Sequence, residues 1–293
     1  MPVAFSRLTN LKKGFFDMTI RYADSSDTDK LVYLWQKCFP ADSEDYIRFF
    51  YERNRDTVKT LCAICGDDLA CMINLIPADI VISGASHKAV YGYAIGALPE
   101  YRGKGVFLSL HEYLCEYVLK NNMIYILSPE NGRLADYYES HGMRRSCYIK
   151  KRDFLVDPDM TVSKEFEISD IDAAEYKALR DAFIGGGYVS WDVSALRYAI
   201  DEKRFCGGFA KIIRVGGDDI AVLGDVERNA VVITEVTARG EALERIIPNL
   251  ARYFGKEKIS VFSDGASDTD ILNGMTVGYD GGGGNIYLNL TLG

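Results

Sequence analysis

The sequence predicts an α+β protein made of two successive units, and three observations carry that reading. Its 293 residues exceed one ordinary domain and suffice for two cores. Segments of strand-like period alternate with segments of helical period along the whole chain. The segment order of the first half (two helices, three strands, a helix and a strand) returns in the second. The boundaries fall at an N-terminal extension, 1–17, a first unit, 18–154, and a second unit, 155–293.

The first strand is Met18–Tyr22. Asp27 or Ser26 caps a helix over Thr28–Phe39, whose Leu31, Leu34, Trp35 and Cys38 share one face. A second helix follows Ser43 and reaches Tyr51, carrying Tyr46, Ile47, Phe49 and Phe50. These aromatics read first as core and second as the lining of a substrate pocket. Thr60–Cys65, a Gly66-Asp67-Asp68 turn and Leu69–Ile82 form a hairpin. Ser83–Ser86 turns the chain into a strand over His87–Leu98.

Arg102-Gly103-Lys104-Gly105 joins this strand to a helix over Val106–Asn121, in which Val106, Leu110, Tyr113, Leu114, Tyr117 and Val118 recur at helical spacing. The two glycines remove side chains where the backbone enters the helix. The amides of the first helical turn then point outward with the positive end of the helix dipole behind them. Such a place receives a phosphate or pyrophosphate, and Arg102 and Lys104 add positive charge beside it. A Gly-rich turn of this kind also serves packing alone. The next strand is Met123–Ser128. A helix over Gly132–His141 follows Asn131 and ends at Gly142, a C-cap position that wants a positive φ.

Strand, phosphate loop, helix, strand, and a helix ending in Tyr138-Glu139-Ser140-His141-Gly142 resemble the GCN5-related N-acetyltransferases (GNAT) over Met18–Phe154. The resemblance implies a mixed, mostly antiparallel sheet flanked by helices, with a splayed pair of central strands that admits acetyl-coenzyme A as cosubstrate. It places Ile95, Gly96, Ala97 and Leu98 against the pantetheine arm. Arg102, Gly103, Lys104, Gly105, Val106 and Phe107 become the pyrophosphate loop, Asn131 lies near the cofactor, and Tyr138 is the general acid. Phe107 departs from the pattern, which has a small residue there, and Met143 stands where the family usually has Phe. The adjacent Tyr137 is the alternative ring, with a packing role open to either.

In the second half, Ser169 caps a helix to Phe183, with Asp172 completing a box-like start. A helix over Ser194–Ile200, strands at Gly208–Arg214, Ile220–Asp225 and Ala230–Thr237, a helix over Glu241–Phe254, and strands at Ile259–Ser263 and Asn285–Leu292 follow. The counterpart of the phosphate loop, Thr237–Glu241, has one glycine and an acid at the helix start, where a phosphate would be repelled. The second unit therefore reads as a degenerate repeat. The tandem resembles the enhanced-intracellular-survival type of acetyltransferase without its sterol-carrier-like domain. In that type the C-terminal carboxylate enters the active site, and the part of Gly293 is left open.

A net charge of −8 argues against nucleic acid as partner and suits a cationic acceptor, either a small molecule or a peptide amine. No apolar run is long enough to span a bilayer. Seven cysteines without framework spacing suggest a reducing cytoplasm. Cys62 and Cys65 have redox-motif spacing but read as buried structural thiols, so no metal is expected. An amine must lose a proton before it attacks. His87–Leu98 carries no acid, Glu100 faces solvent, and His87, His111 and His141 read as surface or packing residues. Tyr91 and Tyr93 share a face and could hold a water chain, and the base is unassigned. The function expected is acetyl-coenzyme A-dependent N-acetylation of an amine by direct attack on the thioester. The alternative is an acyl-coenzyme A-binding or regulatory protein without turnover.

Overall fold

The computed structural model describes residues 9–11, 18–157, 165–265, 270–280 and 284–291. Most of the expected extension 1–17, together with Leu292 of the expected last strand and Gly293, lie outside them. Within the extension, β1 (Thr9–Leu11) pairs antiparallel with β2 (Met18–Tyr22).

α1 (Thr28–Cys38) and α2 (Glu44–Arg53) follow. Ser43 caps α2 by accepting from Tyr46 N. Asp27 holds the expected N-cap position of α1 but makes no side-chain cap bond: it is buried and holds Arg21 through both oxygens at 2.6 and 2.9 Å, while Asp24 caps the preceding 3-10 turn by accepting from Ser26 N. β3 (Lys59–Cys65), β4 (Asp68–Ile82) and β5 (Ala85–Ala97) form a meander. The β4–β5 turn has positive φ at both Ser83 and Gly84, the twist that closes a two-residue hairpin. α3 (Val106–Lys120), β6 (Ile124–Leu127), α4 (Gly132–Ser140) and β7 (Arg144–Leu155) complete the first passage. Gly142, just past α4, has φ +92° as expected.

The second passage is β8 (Glu167–Asp170), α5 (Ala173–Phe183), β9 (Gly187–Ser190), α6 (Val193–Phe205), β10 (Phe209–Val215), β11 (Asp218–Val226), β12 (Ala230–Val236), α7 (Gly240–Phe254), β13 (Lys258–Asp264), β14 (Ile271–Val277) and β15 (Ile286–Tyr287). Ser169 belongs to β8, and Asp172 alone caps α5, accepting from Ala174 N and Glu175 N. α6 runs five residues beyond the expected Ile200 because its buried face continues to Glu202. β9 was not expected from the sequence. It adds to the free edge of the distal half of β4, Asp79–Val81.

The strands form one sheet in the order β1-β2-β3-β4-β5-β6-β14-β7-β13-β12-β11-β10-β8. Among the described residues, only β5–β6, β12–β13 and β9–β15 pair in parallel. β14 was not expected from the sequence. In the sheet Gly274 sits at a bulge where a Cβ would lie 2.7 Å from Leu288 Cδ2 and 3.0 Å from Cys147 Sγ. β14 thus lies between two strands of the first passage, and its Met275 and Val277 join the core under α3 and α4. On the other face a single apolar cluster runs from Trp35, Ile47 and Phe50 to Trp191, Leu196, Tyr198 and Leu223, so the two passages share a core. A third cluster lies under α7.

A chain ended at residue 157 leaves β6 and β7 without the strand between them and bares the shared face. It should aggregate rather than unfold as a cooperative monomer, as read by size-exclusion chromatography and urea titration. In the full chain, Met275→Asp puts a charge at a fully buried position and should cost more than about 3 kcal/mol. A monomeric, cooperative 1–157 would show β14 to be dispensable.

Candidate active site

β5 and β6 pair only from Ala89↔Ile124 to Gly92↔Leu127. Gly92 leaves room for the Tyr125 ring, whose Cε2 would lie 2.7 Å from an added Cβ. Beyond this apex β5 bulges against β4, between the pairs Asn74↔Tyr93 and Met72↔Gly96, and Ala94 takes φ +45°. A left-handed alanine costs on the order of 1–3 kcal/mol and persists where the surroundings hold it. The bulge turns β5 away from β6 and opens a gap between them.

Leu98 N donates to Ala70 O at 2.9 Å, so its backbone faces β4. Alternate residues turn their backbone groups to opposite edges, which leaves Ile95 and Ala97 facing the gap. Gly96 has a packing reason of its own, because a Cβ there would meet Cys38 Sγ at 2.6 Å. Ala97 O accepts from Arg102 Nε at 2.9 Å and from Cys38 Sγ at 3.3 Å. Arg102 is therefore folded back on its own strand. Lys104 is exposed, with its ammonium 6.0 Å from the Tyr101 ring centroid.

Gly103 and Gly105 have φ +71° and +79° with open space where a Cβ would be. Gly105 is the N-cap of α3, and no side chain caps the first-turn amides of Val106, Phe107 and Leu108. Positive backbone ends, glycines and an unobstructed approach fit a pyrophosphate. Phe107 points the other way, into a ring cluster, with centroids 6.1 Å from Tyr138, 6.1 Å from Tyr137 and 5.7 Å from His111. The bulky residue thus packs beside the loop and leaves its amides uncovered.

Asn131 caps α4 by accepting from Leu134 N at 3.0 Å. α4 then buries Tyr138, 6% exposed, and leaves Tyr137 half-exposed against His141. Burial pushes the Tyr138 hydroxyl well above the usual phenol range, with Cys71 beside it and Cys71 paired to Ala97 of β5. The ring of Tyr138 thus stands by the open end of β5 and keeps its proton at neutral pH. His111 is fully buried among Phe107, Tyr125 and Tyr138, and burial lowers it to about 4, so it is a neutral packing residue.

Tyr91 and Tyr93 share a face, as expected. Tyr91 meets Trp191 edge-on at 5.6 Å, and Tyr93 meets Trp35 at 5.6 Å and Tyr46 Oη at 2.8 Å. Cys62 and Cys65 are both buried, on opposite faces of β3. Among the described residues no group of His, Cys, Asp or Glu has metal-binding proximity, and no helix is long and apolar enough to cross a membrane.

The second passage repeats the bulge. β12 pairs with β13 up to Ile233↔Val261, and Thr234 is the extra residue between the pairs with Gly224 and Leu223. Here the next residue, Glu235, is buried and paired with the fully buried Arg180 of α5 at 2.8 Å. Arg239, at the loop before α7, lays its guanidinium 4.3 Å from the Phe183 ring centroid. Only Gly240 follows it, with φ +54° and Glu241 in the first turn. The bulge is present, but its space is occupied by an ion pair and its loop carries an acid.

Residues 19–145 match the family model of the acetyltransferase (GNAT) domain. No curated protein matches the chain. Among solved structures, a conserved protein of Enterococcus faecalis V583 described as a probable N-acyltransferase aligns with TM-score 0.71 and 12% identity, over 88% of this chain and 72% of that one. Eis1 from Mycobacterium abscessus aligns with TM-score 0.62 and 10% identity, over 83% and 65%. A putative acetyltransferase from Pyrococcus horikoshii aligns with TM-score 0.55 and 14% identity, over 96% and 99%. These likenesses show the fold, and the match to the acetyltransferase (GNAT) domain falls on the residues that carry the β5 bulge, the loop before α3 and Tyr138.

The two loops generate a paired prediction. Gly105→Glu sets a carboxylate where the pyrophosphate is expected and should abolish acetyl-coenzyme A binding in calorimetry. Gly240→Glu, at the matching point of the second unit, should leave the affinity within about twofold of wild type. Equal effects of the two substitutions would remove the assignment of the site to Arg102–Phe107.

Proposed function

We propose that this protein is an acetyl-coenzyme A-dependent N-acetyltransferase whose first unit binds the cosubstrate and whose second unit shapes the acceptor side. One observation carries this reading: the open β5 bulge, the uncapped amides after Gly105 and the buried Tyr138 converge within the matched acetyltransferase domain. The pyrophosphate rests on the first turn of α3, beside Lys104. The pantetheine arm runs along the open edge of β5 at Ile95 and Ala97. The acceptor is a primary amine that attacks the thioester directly, with a backbone amide of β5 polarising its carbonyl. Tyr138 gives its proton to the departing sulfur. The burial that raises this phenol also disfavours a thiolate in the same place, so the two proton affinities rise together.

The second unit enters through α6, which packs on α2 beside Tyr93, where Phe205 stacks on Phe49 with centroids 4.5 Å apart. Domain interfaces are favoured positions for ligand clefts. Phe107 is the observation that favours the other reading, acyl-coenzyme A binding without turnover, because its ring lies against the acid. Release of coenzyme A thiol across a panel of polyamines, aminoglycosides, amino acids and peptides separates the two. Acceptor-dependent thiol release is expected, and tight binding without release from any acceptor would favour the binding module.

Tyr138→Phe should lower kcat by about 10²- to 10⁴-fold with nearly unchanged acetyl-coenzyme A affinity. Tyr137→Phe should leave both close to wild type. A phenol raised by burial stays protonated as pH rises, so Tyr138 should impose no alkaline fall in kcat below about pH 10. Full activity in Tyr138→Phe, with loss in Tyr137→Phe, would move the acid to the neighbouring ring.

A further inference from the structure

The first unit supplies an acid but no carboxylate along β5 to take the proton of an ammonium acceptor. The second unit brings one to the same place. The seam between α2 and α6 is aromatic: besides the Phe49–Phe205 stack, Phe50 and Phe49 meet Tyr198 at 5.5 and 6.1 Å, and Tyr46 meets Phe205 at 6.3 Å. Inside it lie three hydroxyls and a carboxylate. Tyr46 Oη and Tyr93 Oη are hydrogen-bonded at 2.8 Å. Glu202, only 4% exposed, lies in the same seam and accepts from Cys206 Sγ at 3.6 Å, with the Tyr46 hydroxyl among the groups that act on its charge. Tyr198 is 3% exposed, and its hydroxyl has no hydrogen-bond partner.

Packing alone accounts poorly for this arrangement. A buried carboxylate outside any ion pair and a buried hydroxyl without a hydrogen bond each cost on the order of 1–3 kcal/mol or more, and apolar side chains of similar volume would avoid both. Tyr93 is half-exposed and immediately precedes the left-handed Ala94, so its hydroxyl joins the buried cluster to the open end of β5.

We infer that Glu202, carried by the second unit, is the terminal proton acceptor for the amine, reached through the Tyr93–Tyr46 hydroxyl pair. This rests on the acetyltransferase reading above. An ammonium at Tyr93 gives one proton to the Tyr93 oxygen as Tyr93 passes its own to Tyr46 and Tyr46 passes its own to Glu202. The freed lone pair forms the C–N bond as the C–S bond breaks. The proton that nitrogen then sheds on becoming an amide balances the one Tyr138 gives to sulfur. Glu202 returns its proton to solvent. Glu202 acts through the two tyrosines and is a positioning residue for the proton, not a group that touches the reacting atoms.

The titratable groups facing Glu202 are Tyr46 from α2, Tyr93 from β5, Tyr198, Lys203 and Cys206 from α6, and Asp225 from β11. Arg53 of α2 is held by Asp201 at 3.3 Å, and Lys203 by Asp225 at 3.0 Å. Burial raises Glu202 above the ordinary carboxylate range, with Asp225 adding to the rise and Lys203, the Cys206 thiol and the Tyr46 hydroxyl opposing it. A base must be ionised, so turnover should fall as pH drops through this raised value.

The test uses the full chain with two probes, phenethylamine, which is protonated at neutral pH, and hydroxylamine, which is not. Glu202→Gln should bind acetyl-coenzyme A with wild-type affinity and lose about 10²- to 10³-fold in kcat on phenethylamine. It should also lose the acid limb of the pH profile and keep hydroxylamine turnover within a few-fold. Glu202→Asp should recover part of the loss, and Tyr93→Phe, which keeps the ring, should reproduce it. Equal loss on both amines, or an unchanged acid limb, would overturn the role of Glu202 while leaving the acetyltransferase reading in place. A wild type that binds no acetyl-coenzyme A, or that releases thiol with neither these amines nor any acceptor of the panel above, would sink both.

Discussion

β6 and β7 do not pair with each other. β14 fills the space between them, bonded to β6 through Met275↔Leu127 and to β7 through Thr276↔Arg144, and Thr276 adds a buried hydroxyl contact to Ser146 at 2.6 Å. β6 is one wall of the gap opened by the β5 bulge, and α4, which carries Tyr138, runs directly into β7. The geometry of the first unit's site is therefore held by a strand from the far end of the sequence. β7 continues beyond β14 to pair with β13, so the same strand ties the two half-sheets together.

The two units show how one backbone device serves opposite ends. Both β5 and β12 bulge one or two residues past their last parallel pair. In the first unit the space beyond the bulge is left open, and a left-handed alanine bears the strain. In the second, Arg180 and Glu235 fill it. Such a pair repays its desolvation only when its geometry is good, and losing either partner would leave an uncompensated buried charge. Arg180 Nη1 also donates to Val189 O at 2.7 Å, which anchors β9, the strand that binds the second unit to β4. The ion pair at this second bulge is thus part of the joint between the halves.

Much of this was legible in the sequence. The apolar periods of Leu31, Leu34 and Trp35, and of Val106, Leu110 and Leu114, placed α1 and α3. The glycine pair at 103 and 105 marked the loop, and Gly142 the end of α4. What stayed hidden depends on contacts distant in sequence. Asn273-Gly274 has the composition of a turn, and only the Cys147 and Leu288 side chains pressing on its Cα explain it as strand. Glu202 sits four residues before Cys206 on a helix with charged neighbours and reads as a solvated face until α2 is packed over it. Asp27 takes the cap position it was read for, but its carboxylate turns to Arg21 instead of the helix amides, a contact set by the β2 strand that carries Arg21. The bulge at Ala94 has no sequence signature, since no glycine marks its positive φ.

The sheet's strand order also sets a constraint on how the chain can be made. Domains generally fold as units, N-terminal first, during synthesis at about 5–20 residues per second. Here the first half cannot close its sheet when its own residues have been translated, because β14 has yet to be added. At that rate the edges of β6 and β7 stand unpaired for on the order of ten seconds. Exposed edges of this kind invite pairing with other chains. Slower translation between β7 and β14 would lengthen that exposure.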